Sequence, residues 1–538
     1  MAVQTRPAVQ TRPGHRGRIA RNTAIFSAAT GLSRIAGLAR EVLASSYFGT
    51  SGPFSAFTIA FQVPNLVRSL FADSALSAAF VPVFTELLET GRRRDAVRLA
   101  STLAVVIVGA LGALTALFIL LAPHVMPLFT GSEFTPALDR LTAGLSQVLF
   151  PIVLLLGLNG LVVGILNAYD HFSVPAIAPL VWNVVIIVAL VVARPFFHGA
   201  HQMYAYAIGV LLGTIVQLVM VLPVLQRVGF HPTLHVDLRD PRIRRVFTLM
   251  FPVTIGLGLI NFDLLINSVV GSEISKSAPR AIDAAFRIYM LPQGMFSVAV
   301  ATVLFPALSR LVARRDADGL RSLLGEGTRG IFLLLIPCAA CMLVLAEPIT
   351  RLVYQRGAFG AGSTDEVATA LAWFSLSLPL AGLNLLLTRT FFSFQRPWLV
   401  TGLSGLTLIL NLIVSIALAG PLGIAGPVIG TVVSTFAMSA LQTRWLRRGI
   451  GGVDGARTLR AVIPMLVAAA VLAGVSRLVW WAFDDLLGRS LIAQLVSVGC
   501  GVGCGLAVYA ILVMAMGVPE ARRIKAMVLV RLGFPARP

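Results

Sequence analysis

Apolar runs of about 20 residues recur along the whole of this chain, and no other feature restricts its fold so strongly. Of its 538 residues 57% are hydrophobic and only 12% are charged, about half the share of charged residues in soluble domains. Backbone groups inside a bilayer must find hydrogen bonds within their own segment, so runs of this length fold as helices. The sequence therefore predicts an all-α polytopic membrane protein.

Fourteen such runs predict fourteen transmembrane helices, which lie at approximately 22–48, 53–87, 97–122, 142–168, 173–195, 203–226, 246–271, 280–311, 326–352, 365–394, 398–419, 424–445, 458–483 and 489–517. Arginines cluster after the second, sixth, eighth, twelfth and last of these helices, whereas the odd-numbered connections carry few basic residues. Because basic loops stay in the cytoplasm, this pattern places both termini on the cytoplasmic side.

An internal repeat divides the chain. Ala56–Pro64 in the second helix reads AFTIAFQVP, and Ala285–Pro292 in the eighth reads AFRIYMLP. A period of six helices predicts two parallel repeats related by an axis along the membrane normal. We expect a disordered basic leader (1–21), an N-terminal lobe (22–228), a C-terminal lobe (241–449), two extra helices (457–517) and a basic cytoplasmic tail (518–538).

The stretch Ser33–Pro82 carries charge at depths where charge is expensive. Its ionisable residues are Arg34, Arg40, Glu41, Arg68 and Asp73. Each would cost at least about 2.5 to 3.5 kcal/mol at the centre of a membrane helix. Together with Arg287 of the eighth helix, these arginines predict a hydrated cationic chamber. Arginine suits bidentate contacts to phosphate, so an anionic substrate is expected there.

Structural pairing is the alternative interpretation of these arginines. Each has an acid nearby in sequence: Glu41 for Arg40, Asp73 for Arg68 and Asp283 for Arg287. Such pairs would staple helices together without binding a substrate. The set still has more arginines than acids, which favours the chamber.

A second polar group is rich in oxygen. Asp263 lies mid-span in the seventh helix near Asn261 and Asn267, while Asn411, Ser415 and Thr431 lie in the eleventh and twelfth. Carboxylate, amide and hydroxyl oxygens suit a hard cation such as sodium. A polar contact between helices is the other interpretation.

The sequence gives little support for a nucleic-acid-binding protein, an ATP-driven pump or an enzyme. A net charge of +20 would suggest nucleic acid in a soluble protein, but here the basic residues mark topology and contact with anionic lipids. No GxxxxGK[ST] loop is present, and no grouping of acids or histidines predicts catalysis. The four cysteines lie inside apolar runs and are expected to pack there.

The stretch Ser33–Pro82 resembles the start of the MurJ (MviN) lipid II flippases of bacterial cell-wall synthesis. The residues that carry the resemblance are Ser33-Arg34, Gly37, Arg40-Glu41, Ala56-Phe57, Pro64-Asn65-Leu66, Arg68, Leu70-Phe71-Ala72 and Ala79-Phe80-Val81-Pro82. RIYMLPQGMFSVAVATVLFP in the eighth helix is also similar to the family's counterpart.

This resemblance implies the fold of the multidrug/oligosaccharidyl-lipid/polysaccharide exporter superfamily. It also implies a substrate, undecaprenyl pyrophosphate linked to a disaccharide-pentapeptide, that moves to the outer leaflet of the bacterial inner membrane. The implied substrate-binding residues are Ser33, Arg34, Arg40, Glu41, Asn65, Arg68 and Arg287. The last two helices would form a groove for the lipid tail, and Asp263, Asn411 and Thr431 would form a sodium site.

Two positions depart from the family pattern. Ser55 stands where the family often has an Asp, and Ser415 stands where the cation site often has a second acid. The first makes the chamber more positive. The second weakens the sodium assignment and leaves proton or membrane-potential coupling open.

The expected function is a lipid II flippase that works by alternating access and is not an enzyme. Flipping of another polyprenyl-linked glycan, or multidrug antiport, are alternatives within the superfamily. A membrane scaffold for cell-wall synthesis proteins is an alternative of another class.

Overall fold

The computed structural model describes residues 13–71, 74–169, 171–231, 233, 237, 239–450 and 454–522. These residues form helices and connecting turns, without β-strands among them. The helices are α1 (Pro13–Phe48), α2 (Gly52–Phe71), α3 (Ser74–Glu89), α4 (Arg93–Val125), α5 (Pro136–Leu149), α6 (Pro151–Ala168), α7 (Ser173–Ala193), α8 (Met203–Arg227), α9 (Pro241–Ser272), α10 (Ala278–Pro292), α11 (Val298–Ala313), α12 (Ala317–Val344), α13 (Ala346–Tyr354), α14 (Ala361–Ser393), α15 (Pro397–Leu422), α16 (Ala425–Ile450), α17 (Gly455–Leu487) and α18 (Leu491–Ala515).

Eleven helical segments of the described chain are long and apolar enough to cross a membrane. They coincide with eleven of the fourteen predicted spans, so the chain is a multi-pass membrane protein. Helices also lie at the other three predicted positions, in α1, in α2 with α3, and in α9. These three are not among the eleven, and the count of fourteen stays a prediction.

The ends of the predicted domains fall partly outside the described residues. Helix α1 already begins at Pro13, within the predicted leader. Residues 1–12 of that leader and residues 523–538 of the predicted tail are outside the described chain.

Two predicted spans are broken at proline. Pro151 begins α6 directly after α5, and a π-helix, Gln293–Ser297, separates α10 from α11 directly after Pro292. Proline lacks the N–H that the helical ladder requires, so the ladder is rearranged at these points. The π-helix begins six residues after Arg287 and therefore lies close to a predicted site residue.

The described residues within 1–44, 67–122 and 144–254 form one compact unit. In it α8 packs on α7 and α6, and α3 packs on α6. Gly213 lets α8 approach α7 closely, because a Cβ there would lie 3.0 Å from the Trp182 ring and backbone. Phe80 fills the space beside Gly164 of α6.

The described residues within 45–66, 123–143 and 255–522 form the second compact unit. Here α16 packs on α15 and α14, α11 and α12 pack on α14, and the α17–α18 pair packs on α12. An apolar cluster that includes Leu333, Met465, Leu472 and Tyr509 fills the layer between α12, α17 and α18.

The packing repeats as the sequence predicted. The contacts α3–α6, α6–α8 and α7–α8 of the first unit recur as α11–α14, α14–α16 and α15–α16 of the second. The corresponding helices are six spans apart along the chain. Helices α17 and α18 have no counterpart in this scheme. The lobe boundaries at 22–228 and 241–449 stay predictions.

Candidate functional site

Arg40 and Glu41 form a buried pair in the first unit. Arg40 Nη2 donates a hydrogen bond of 2.7 Å to Glu41 Oε1, and their side chains are only 10% and 6% exposed. The Tyr206 hydroxyl donates to the same carboxylate oxygen at 3.3 Å. The Arg40 guanidinium also lies 4.8 Å from the centre of the Trp182 ring, which adds a cation–π attraction. The predicted Arg40–Glu41 pair is thus present.

Ser33 and Gly37 mark the place where α1 meets α7. Asn183 Nδ2 donates to the Ser33 carbonyl at 3.4 Å and to the Pro179 carbonyl at 2.9 Å. A Cβ at Gly37 would lie 3.7 Å from Asn183 Oδ1, in ordinary contact. Trp182 in turn donates from Nε1 to Thr214 Oγ1 at 3.1 Å. The polar side chains of α7 and α8 therefore hold α1 beside them.

Arg34 and Arg68 differ from Arg40 in exposure. Arg34 is exposed and forms no ion pair with any residue that the structure describes. Arg68 is half-buried. Its predicted partner, Asp73, lies outside the described residues. Among Arg34, Arg40 and Arg68, Arg34 is thus the arginine most accessible to an anion.

Arg287 belongs to a ladder of charges on α10 in the second unit. Asp283 Oδ2 accepts hydrogen bonds of 2.8 Å from both Arg280 Nη1 and Arg287 Nε. The Arg280 side chain is 1% exposed, that of Asp283 is 11% and that of Arg287 is 35%. The predicted Arg287–Asp283 pair is present, and about a third of the Arg287 side chain stays open to an anion.

Asp263, Asn411 and Thr431 form one hydrogen-bonded network with Asn267, also in the second unit. Asn411 Nδ2 donates to Asp263 Oδ1 and, at 3.5 Å, to Asn267 Oδ1. Asn267 Nδ2 donates to Thr431 Oγ1 at 2.8 Å. Ser415 donates to Asn411 Oδ1 at 2.9 Å. The structure thus brings the predicted sodium ligands together.

These residues fit a hard monovalent cation. The network offers oxygens from one carboxylate, two amides and two hydroxyls, and all but Asp263 are at most 8% exposed. Asp263 forms no ion pair with a basic residue of the described chain. A carboxylate in that setting favours a bound cation, since an isolated buried charge is costly. No group of three His, Cys, Asp or Glu suited to a transition metal occurs among the described residues.

Asn65 contacts the helix that carries Asp263. Its Nδ2 donates at 3.1 Å to Oδ1 of Asn261, two residues before Asp263 on α9. Asn65 thus joins the second helix to α9. Its predicted contact with a substrate stays a prediction.

Sequence reasoning missed three residues of these clusters. Trp182 and Tyr206 contact the Arg40–Glu41 pair from helices more than 100 residues away. A local sequence pattern does not predict contacts between such distant residues. Arg280 could have been found. The spacing of Arg280, Asp283 and Arg287 by three and four residues places all three on one face of a helix.

The fold and these clusters define a class of protein, the polytopic helical transporters. Its apolar helices carry buried arginines and a network of oxygen atoms suited to a cation. A family model described as lipid II flippase MurJ matches residues 44–492. The chain belongs to this family, the MurJ lipid II flippases. The family suggested by Ser33–Pro82 is thereby confirmed.

Individual relatives are also lipid II flippases by name. The lipid II flippase MurJ of Burkholderia cenocepacia is 34% identical over 353 residues, which cover 64% of this chain and 68% of the relative. The probable lipid II flippase MurJ of Rhizobium tropici is 29% identical over 494 residues, 90% of this chain and 92% of the relative.

Solved structures confirm the fold. A lipid II flippase MurJ in an inward closed conformation aligns with a TM-score of 0.75 at 22% identity, over 92% of this chain and 99% of that one. An inward-facing multidrug resistance MATE family transporter of the MOP superfamily aligns with a TM-score of 0.67 at 12% identity, over 80% and 98%. At these identities the likeness concerns the fold.

Proposed function

We propose that this chain moves lipid II from the cytoplasmic to the outer leaflet of a bacterial inner membrane. It does so by alternating access of its two six-helix lobes, without covalent chemistry and therefore not as an enzyme. The observation that carries the proposal is the placement of arginines in apolar helices of a chain that belongs to the lipid II flippase family.

Arg34 and Arg287 are the proposed primary contacts of the pyrophosphate. Arg34 is exposed and Arg287 is about one-third exposed, so both can reach an anion. Arg40 is already engaged by Glu41 and Trp182. It contributes positive potential and holds the helix that carries Arg34. Arg68, Ser33, Glu41 and Asn65 complete the proposed lining. The Ser33 carbonyl accepts from Asn183, and the Asn65 side chain donates to that of Asn261.

Pyrophosphate binding competes with Asp283 for Arg287. Two phosphate groups provide several strong acceptor oxygens, whereas Asp283 already divides one oxygen between two guanidinium groups. Phosphate contacts to Arg287 are therefore favourable. Neutralising the arginines lets the lobes close around the head group, which is the step that alternating access requires.

A sodium ion is the proposed coupling ion. Asp263, Asn411 and Thr431 would hold it, with Asn267 and Ser415 close by. When bound, the ion supplies a positive charge that offsets the Asp263 carboxylate. The same residues hold α9, α15 and α16 together, so ion binding changes how tightly these helices pack.

The remaining proposals concern the orientation of the chain in the membrane and the molecules that it contacts there. The arginine-rich even-numbered connections support cytoplasmic termini and contact with anionic membrane lipids. Helices α17 and α18 pack on α12 and support a groove for the prenyl tail. Cell-wall synthesis proteins are proposed partners, and nucleic acid is not.

Bacterial growth provides the first test of the proposed arginine contacts. Arg34→Ala and Arg287→Ala are each expected to abolish complementation of a flippase-depleted strain while the protein still inserts. Arg94→Ala is the matched control, because this exposed arginine at the start of α4 forms no ion pair with the described residues. Full growth of both site variants would overturn the cationic chamber and favour a scaffold.

Binding is the second readout. Purified protein in nanodiscs is expected to bind lipid II in preference to other polyprenyl-pyrophosphate sugars, and more tightly in sodium than in choline. Arg287→Ala should weaken binding about ten- to hundredfold, the usual effect of losing hydrogen bonds to a charged group. Equal binding of an unrelated polyprenyl-linked glycan would transfer the function to that substrate.

A further inference from the structure

Four connections with few basic residues meet within the second unit. They are the turns between α1 and α2, between α4 and α5, between α9 and α10, and between α13 and α14. Ala358 N donates to the Ser46 carbonyl at 2.8 Å, and the hydroxyls of Thr50 and Ser363 lie 2.8 Å apart. Ser132 donates to Glu273 Oε2 from its hydroxyl at 2.7 Å and from its backbone N at 2.9 Å. We name these four connections the loop cluster.

The acid of the loop cluster is held in its charged form. Hydrogen bonds from the Ser132 side chain and backbone keep the pKa of the Glu273 carboxyl below its usual range. The contact therefore persists at neutral pH. Because the first two connections belong to the first six-helix repeat and the other two to the second, the loop cluster ties the two repeats of the sequence together.

Arg280 lies at the start of α10, beside this cluster, and is one of the largest fully buried side chains described. Its Nη2 donates to Ser45 Oγ at 2.9 Å, and its backbone N donates to Ser55 Oγ at 3.3 Å. The guanidinium carbon lies 3.9 Å from the centre of the Phe54 ring. A single arginine thus contacts the end of α1 and the start of α2.

These contacts are strong because the surroundings are dry. Ser45 and Ser55 are 0% exposed and Phe54 is 1% exposed. A desolvated guanidinium gains more from a hydroxyl acceptor and an aromatic face than an exposed one does. The negative charge beside the buried Arg280 guanidinium comes from Asp283.

Asp283 connects Arg280 to the proposed anion site. Its Oδ2 accepts from both Arg280 and Arg287. An anion that engages Arg287 releases this oxygen from one of its two donors. The carboxylate then interacts with Arg280 alone and draws the guanidinium away from Ser45.

We propose that Arg280 is a positioning residue that keeps the loop cluster closed, and that Asp283 transmits anion binding at Arg287 to this closure. The second part rests on the proposed function, whereas the first does not. Opening of the loop cluster is the event that would let the head group leave on the face with few basic residues.

Thiol labelling measures the closure directly. Thr50 is 6% exposed, so Thr50→Cys should react with a membrane-impermeant thiol reagent only when the loop cluster opens. Cys338, Cys341, Cys500 and Cys504 are first replaced by Ser. Without ligand, Arg280→Ala should raise the labelling rate about tenfold, the effect of losing a hydrogen bond to a charged group. Ser45→Ala should raise it in the same direction without removing a buried charge.

Arg94→Ala, at an exposed arginine of α4, is the control and should leave the labelling rate unchanged. Undecaprenyl pyrophosphate at a saturating concentration should raise labelling in the parent but not in Asp283→Asn. Unchanged labelling in both Arg280→Ala and Ser45→Ala would overturn the closure. If those variants label faster while the saturated parent does not respond, the coupling through Asp283 is overturned. Binding of the lipid is measured separately, so failure to bind at all contradicts the proposed function and leaves the closure result intact.

Discussion

Charged side chains in this protein occur within apolar helices because each has a specific partner or access to an anion. Arg40 pairs with Glu41, and Arg280 and Arg287 share Asp283. Removing one member of such a buried pair costs about 3 to 5 kcal/mol, since the other charge is left uncompensated. Arg34 is exposed and forms no ion pair in the described chain, which a binding role would explain.

Asp263 allows the sodium proposal to be tested at a single residue. In purified protein, sodium chloride should raise the thermal unfolding temperature relative to choline chloride, and Asp263→Asn should abolish this difference. At ten times the dissociation constant, a ligand stabilises the folded state by about 1.4 kcal/mol. The measurement is a thermal unfolding curve in each salt.

Asp365→Asn is the control for this prediction. Asp365 is an exposed acid of the same unit, so its neutralisation should preserve the sodium effect. A sodium effect that survives Asp263→Asn at full size would assign the ion to another site.

Turns decide how closely the helices of the second unit approach one another. Gly357, in the turn between α13 and α14, has a φ of +58°, and a Cβ there would lie 2.3 Å from the Ser46 carbonyl oxygen. Gly49 of the opposing turn has a φ of +61°, with its Cβ position 2.6 Å from the Ala358 carbonyl oxygen. The two turns therefore fit together only as glycines.

Gly357→Ala should destabilise the protein. The left-handed conformation alone costs a residue with a Cβ roughly 1 to 2 kcal/mol, and the contact with the Ser46 backbone adds to this. Unfolding of the purified protein in detergent measures the loss. Gly360→Ala in the same turn is the matched control, because it has a negative φ and open space around it. Equal stability of the two variants would contradict the close fit.

At the scale of the whole molecule, α17 and α18 are added to the repeat and must be attached by their own contacts. Arg351 of α13 pairs with Asp484 of α17 and lies 5.7 Å from the Trp480 ring. Arg329 of α12 pairs with Glu520, just beyond α18. These two ion pairs join the extra helices to α12 and α13 within the second unit.

Asp484→Asn is expected to destabilise this attachment by about 2 to 4 kcal/mol, because Arg351 is buried and would lose its main partner. Limited proteolysis between α16 and α17 should become faster, and the thermal unfolding temperature should fall. Asp485→Asn removes the neighbouring exposed acid and should have little effect. Identical behaviour of the two variants would show that apolar packing alone holds the pair.

The amino-acid sequence by itself determined the helical membrane fold, the six-helix repeat and the family. These follow from hydropathy and from short motifs, which are local properties of the chain. It also predicted the pairs Arg40–Glu41 and Arg287–Asp283, whose members are neighbours on one helix.

Only the tertiary structure decided which distant side chains complete each cluster. Tyr206 and Trp182 reach Arg40 and Glu41, Asn411 reaches Asp263, and Arg280 reaches Ser45 across 235 positions of the chain. The physical reason is that hydropathy places a residue inside the membrane but does not specify which helix lies beside it. That choice is made by close packing at residues such as Gly213 and by the need of each buried polar group for a partner.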